Sequence, residues 1–152
     1  MSSAPSTDRI EKTILLKAPR SRVWRAIVTP KEFGEWFGAK MTGVFTPGVW
    51  SKGPITYPGY EHLMMEMLVE RIEPERLFSY RWHPYAVDPK VDYSSEPTTL
   101  VEFRLEEAKD GTQLTIVESG FDRIPVARRA EAFRMNDRGW GQQTESIARH
   151  VS

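Results

Sequence analysis

The sequence predicts an α+β fold: a curved antiparallel sheet of six to seven strands, two short helices and a long C-terminal helix. Three observations carry this. Strand-like runs follow one another with no helical pattern between them from Met41 to Glu118. Turn signals punctuate those runs at Pro47-Gly48, Pro58-Gly59, Glu73-Pro74-Glu75 and Asp110-Gly111. The last quarter then changes period, with Val126, Ala130, Phe133, Trp140, Thr144, Ile147 and Val151 forming one stripe of an amphipathic helix. Strands in an unbroken run with helices at the ends are the α+β order.

Taken in order, residues Met1–Asp8 are small and polar and read as a disordered tail, leaving 9–152 as a single domain. Ile10, Ile14 and Leu16 share one parity, as in a half-buried strand that Ala18-Pro19 breaks. Ser21 is placed to cap a short helix carrying Val23, Trp24, Ile27 and Val28, which Thr29-Pro30 ends. A second short helix over Lys31–Phe37 turns Phe33, Trp36 and Phe37 inward. The strands that follow are Met41–Phe45, Val49–Tyr57, His62–Ile72, Leu77–His83, Thr99–Leu105 and Thr112–Glu118. Pro125 suits the first position of the final helix, and Asn136 and Gly139 predict a kink before Trp140. A helix from Val126 to Val151 would span roughly 39 Å, enough to cross a small domain. A sheet of this size twists and curls. A long helix on its concave side then encloses a cavity of the kind that takes a small molecule.

Bulk composition narrows the function. With 39% hydrophobic and 28% charged residues the chain is globular. Lys plus Arg and Asp plus Glu both number 21, so no net field favours nucleic acid or a membrane surface. The absence of cysteine excludes disulfides, thiolate nucleophiles and cysteine-held iron–sulfur clusters. No apolar run approaches a membrane span, and the first residues lack the apolar core of a secretory signal, so a cytoplasmic location is expected. His62, His83 and His150 show no metal-ligand spacing, and no Gly-x-Ser-x-Gly turn, P-loop or dinucleotide fingerprint occurs. Neither a metal nor a cofactor is called for.

Two residues are candidates for chemistry. Glu118 shares the parity of Leu114 and Ile116, so alternation points it into the pocket, where a desolvated carboxylate can orient a ligand or act as acid or base. The plainer reading, and the preferred one, is a partly wet carboxylate at a strand end, bonded to backbone groups or an arginine. His83 ends a strand beside Trp82 and lies within reach of Glu118 only if both strands wrap one mouth; alternation turns it outward. Trp36, Trp50, Tyr80, Trp82, Phe103 and Trp140 supply an aromatic lining, with Met64 or Met65 as adaptable filler and Tyr80, Arg81 or Glu118 as the polar contact. Such residues are otherwise ordinary core. Pro84–Pro97 is long for a connection and reads as a flap over the pocket. Arg123, Arg128, Arg129, Arg134 and Arg138 read as a solvated basic face.

Several of these segments also carry a family resemblance. Ala18-Pro19, Val23-Trp24, Thr29-Pro30 and Trp36-Phe37-Gly38 resemble the opening of the activator-of-heat-shock-protein-90-ATPase-like family, within the START-like or SRPBCC superfamily. Ile72-Glu73-Pro74-Glu75-Arg76-Leu77, Tyr80-Arg81-Trp82, Gly111-Thr112-Gln113-Leu114-Thr115, Glu118-Ser119-Gly120-Phe121 and Gly139-Trp140 continue it, so it covers about residues 10–150. The resemblance implies the helix-grip fold and a cavity for lipids, sterols or polyketide-like molecules, with a few cyclases and hydrolases among the members. The eukaryotic namesake stimulates a chaperone ATPase but relies on an additional N-terminal domain, where this chain shows only a tail. The expected function is therefore binding of a small apolar or aromatic ligand. The alternatives are a small cyclase, hydrolase or lyase using a pocket carboxylate, and a chaperone-interaction module. Assembly as a homodimer stays open.

Overall fold

The computed structural model describes residues 7–152, so most of the expected tail lies outside the described residues. Thr7 and Asp8 are held against the end of the sheet: the Thr7 hydroxyl donates to Asp122, and the Gly120 and Phe121 amides donate to the Asp8 carbonyl. The chain then forms β1 (Arg9–Leu16), α1 (Arg20–Val28), α2 (Pro30–Phe37), β2 (Trp50–Pro54), β3 (Met64–Glu73), β4 (Leu77–Trp82), β5 (Thr99–Ala108), β6 (Gly111–Ser119), a 3₁₀ turn at Phe121–Arg123, and α3 (Val126–Val151).

The six strands make one antiparallel sheet in the order β1-β6-β5-β4-β3-β2. Four consecutive pairs are sequence neighbours, and β1 closes the sheet against the last strand. The β5–β6 turn depends on glycine. Gly111 has φ of +153°, and a Cβ there would sit 2.0 Å from the Leu16 carbonyl oxygen. Sheet curvature is helped by a register shift in β3 between Val69 and Arg71.

Inward parity follows the alternation read from the sequence. Phe78 and Tyr80 on β4, Val101 and Phe103 on β5, and Leu114 and Ile116 on β6 are all buried. α1 and α2 plug the space beneath α3. Phe33 on α2 is the hub, with ring centroids 4.9 Å from Trp36, 5.0 Å from Phe37, 5.7 Å from Phe45 and 6.4 Å from both Tyr80 and Phe103. Aromatic rings thus fill much of the space between helix and sheet that the fold class predicts as cavity.

Four expectations are corrected. Met41–Phe45 is not a strand: Gly43 takes φ of +80°, which breaks the extended run, although Met41 and Phe45 still bury their side chains. Ser21 does not cap α1; Pro19 holds the cap position and its carbonyl receives the Arg22 and Val23 amides. Pro125 likewise precedes α3 rather than opening it. No break occurs at Asn136 or Gly139, because burial of Trp140, Thr144, Ile147 and Val151 along one face outweighs the roughly 1 kcal/mol that a helical glycine costs. The stripe is also displaced at its start, where Ala132 is buried and Val126 is 78% exposed.

Candidate functional site

The site grows from one row of the sheet. Strand register sets Tyr80 beside Val101, Val101 beside Glu118, and Glu118 beside Ile10, all on the inner parity. The next row pairs Trp82, the last residue of β4, with Thr99, the first of β5. Above them α3 presents Asn136 and Trp140, which are four residues apart and therefore on one helix face. These three elements converge on the Glu118 carboxylate, which has no solvent exposure.

Four donors reach that carboxylate. Thr99 Oγ1 at 2.5 Å and Trp82 Nε1 at 2.7 Å donate to Oε2, while Trp140 Nε1 at 2.8 Å and Asn136 Nδ2 at 2.9 Å donate to Oε1. All four are neutral. Burial raises the Glu118 pKa, and the four donated hydrogen bonds only partly oppose that shift. Tyr80 lies two strands away in the same row, fully buried, and its hydroxyl has no partner among the described residues. Burial first, and then the Glu118 charge, push the Tyr80 phenol well above its usual range.

Outside this shell lies a small cleft of about 150 Å³, lined by Phe37, Trp82, Asn136, Gly139, Trp140 and Gln143. Three rings form its floor: Trp82 and Trp140 are 5.8 Å apart, and Phe37 is 6.0 Å from each. Gln143 ties α3 to the end of α2 by donating from Nε2 to the Phe37 carbonyl at 2.8 Å. Its Oε1 is buried with no partner among the described residues. Trp82, Asn136 and Trp140 both wall the cleft and hold Glu118, so cleft shape and carboxylate position are one structure.

Comparison with known proteins decides the family. A family model described as Activator of Hsp90 ATPase homolog 1-like protein matches residues 17–152. This chain belongs to that family. Solved structures agree on the fold. Protein MLL2253 from Mesorhizobium loti superposes with a TM-score of 0.73 at 22% identity, covering 94% of this chain and 96% of that one. The Aha1 dimer from Colwellia psychrerythraea gives 0.68 at 16% identity, covering 94% and 95%. DynU16, described as a putative protein in the dynemicin biosynthetic locus, gives 0.72 at 22% identity, covering 97% of this chain and 48% of that one. No curated protein matches the chain. Among the described residues, no helix is long and apolar enough to cross a membrane.

In this family member the residues singled out from sequence separate into three groups. Glu118, Trp82 and Trp140 come together at the cleft. Trp36, Tyr80 and Phe103 lie in the packed core behind it, with the Trp36 indole donating to the Ala26 carbonyl at 2.8 Å. Trp50 and Met64 lie outside it, 42% and 56% exposed, because β2 and β3 turn Ser51, Met65 and Met67 inward instead. His83 is not among the partners of Glu118. Its ring lies parallel to Trp50, and Nε2 meets the Glu96 carbonyl at 3.2 Å. Sequence reading passed over Thr99, Gln143, Gly139 and Phe37 as site residues, and took Asn136 for a kink. The available signal was Asn136 itself, a polar side chain one turn before Trp140 on the buried stripe.

The segment after Trp82 is fastened to α3 by Arg128. Its guanidinium donates to Glu96 at 2.8 Å and to the Pro84 carbonyl at 2.7 Å, and sits 4.7 Å from the Tyr93 ring centroid. One arginine of the expected solvated face is therefore a clasp. Arg128→Ala is expected to lower stability by about 1–2 kcal/mol, since charged hydrogen bonds at a part-buried site are lost. Amide exchange across 84–97 should accelerate while β5 and β6 keep their protection. Unchanged exchange in that segment would show that Arg128 holds nothing.

Proposed function

We propose that this protein binds a compact small molecule with an apolar or aromatic body in the cleft between α2, β4 and α3. The supporting observation is the double use of Trp82, Asn136 and Trp140 as cleft wall and as donors to buried Glu118. Walls fixed by a hydrogen-bonded inner shell lose little freedom when a ligand arrives, which favours affinity. Three aromatic rings offer the ligand a broad apolar contact, and Gln143 adds a polar side chain to the lining. A fold neighbour from a biosynthetic locus is consistent with small-molecule handling. Binding is favoured over turnover because two donors already occupy each Glu118 oxygen, leaving the carboxylate engaged in holding the site.

Gly139 supplies a clean test. A Cβ added there meets nothing within 4 Å, and the residue lines the cleft from the middle of a helix. Gly139→Leu is expected to fill the cleft and to hold or raise stability by about 0.5–1 kcal/mol through helix propensity. Wild-type protein should gain thermal stability from members of a panel of one-ring aromatic and short aliphatic compounds, and G139L should not. Native mass spectrometry of protein from its own host should likewise show a small adduct that G139L lacks. A panel that shifts neither protein, or shifts both equally, would remove the cleft as the binding site.

A further inference from the structure

Resting on the cleft as binding site, we propose that its ligand is a small organic cation, an ammonium carried on an apolar or aromatic body. Three features of the cleft point the same way. Its six lining residues include no Lys, Arg or His, so nothing there would neutralise a carboxylate, phosphate or sulfate. Its floor is three aromatic rings, Phe37, Trp82 and Trp140, whose π faces attract positive charge. Its lining also carries an unmet acceptor: among the described residues Gln143 Oε1 is buried without a partner, while Nε2 of the same amide donates to the Phe37 carbonyl. An unmet acceptor among aromatic walls calls for an N–H donor.

Behind that floor stands Glu118. Its four partners are two indole N–H groups, an amide and a hydroxyl, none of which carries a charge. A formal negative charge is therefore enclosed without a counter-ion in its own shell, one side-chain layer from the cleft. The two indoles link the two places: each donates its N–H to Glu118 and each also lines the cleft. Donation to an anion increases electron density in the ring, which strengthens its attraction for a cation on the face. A cation in the cleft would in turn complete the charge balance of the buried carboxylate. The cleft volume of about 150 Å³ suits a single ring or a short branched chain.

The test uses three probes of nearly equal size on the full chain at neutral pH: benzylammonium, benzyl alcohol and benzoate. Binding is read by titration of the tryptophan fluorescence and by calorimetry. Benzylammonium is expected to bind about tenfold more tightly than benzyl alcohol, the scale of a desolvated cation–π contact, and benzoate most weakly. Gln143→Lys, which places a positive charge at the cleft, should weaken benzylammonium by about tenfold or more relative to benzoate. Equal binding of benzylammonium and benzyl alcohol, both abolished by G139L, would leave the binding site standing and overturn its preference for a cation. Tightest binding by benzoate would also overturn it. Binding of none of the three, with no shift from the wider panel, would overturn both readings.

Discussion

Glu118→Ala is expected to destabilise the protein by on the order of 3–5 kcal/mol, with chemical denaturation as the measurement. The reason is a difference among the four donors. Thr99 and Asn136 can rotate toward other acceptors, whereas an indole N–H has one direction and no accepting atom. Removal of the carboxylate strands Trp82 and Trp140 together, at about 1–3 kcal/mol for each buried unmet donor. Lost packing of the side chain adds to this. Glu118→Gln separates the charge from the shape. Whichever way the new amide turns, its NH₂ faces one indole N–H, on the Trp82 side or on the Trp140 side. One donor is stranded rather than two, so a smaller loss of about 1–3 kcal/mol is expected. Equal losses in the two variants would mean that the indole bonds contribute nothing.

The pH dependence of wild type against E118Q has a definite sign. Burial lifts the Glu118 carboxyl above its ordinary value of 4.5, so the folded state holds this proton more tightly than the unfolded chain does. Its contribution to stability is fully present below that value and declines as pH rises through the folded pKa. E118Q lacks this titration. The stability gap between wild type and E118Q should therefore narrow with rising pH across that window. Glu32 titrates with the opposite sign: burial, which alone would raise it, is outweighed by hydrogen bonds from His150 and Arg22. It is common to both proteins and cancels in the difference. A gap that widens with pH would show that the four donors, not burial, set the Glu118 pKa.

The inward orientation of Glu118 was legible because period-two alternation is unambiguous on β6, where Leu114 and Ile116 fix the inner parity. The same rule could not settle Met64 and Trp50. In an apolar run such as Met64-Met65-Glu66-Met67 both parities offer a methionine, and sheet pairing selects Met65 and Met67. Trp140 was legible from the helical stripe. The four-donor shell of Glu118 was not, since it joins residues 18, 19, 22 and 36 positions away through strand register and the packing of α3 on the sheet. The cleft wall reaches further, with Gln143 meeting Phe37 across 106 positions. The cavity expected from the fold class was read from architecture alone. Side-chain volume decides how much of it is left open, and Phe33 with its neighbours fills the part beneath the site.

That filling makes Phe33 the second position of large expected effect. Phe33→Ala should lower stability by about 3–5 kcal/mol, the range for deleting a fully buried ring that neighbours cannot collapse to replace. Collapse is hindered here because the five rings around Phe33 come from four separate segments: Trp36 and Phe37 from α2, Phe45 from the irregular segment, Tyr80 from β4 and Phe103 from β5. Each is held elsewhere, Trp36 by its bond to Ala26 and Tyr80 by strand pairing. The denaturation midpoint should fall with no change in the denaturant slope, since the same surface is exposed on unfolding. The site should feel it as well. Phe37 stacks on Phe33 at 5.0 Å and supplies the third ring of the cleft floor, so F33A should weaken every probe that binds there. Phe33→Leu refills most of the volume and should recover both stability and probe binding in large part. A fall of under about 1 kcal/mol in F33A would mean that the ring cluster is loosely packed. The space between helix and sheet would then be open to larger ligands than the cleft admits.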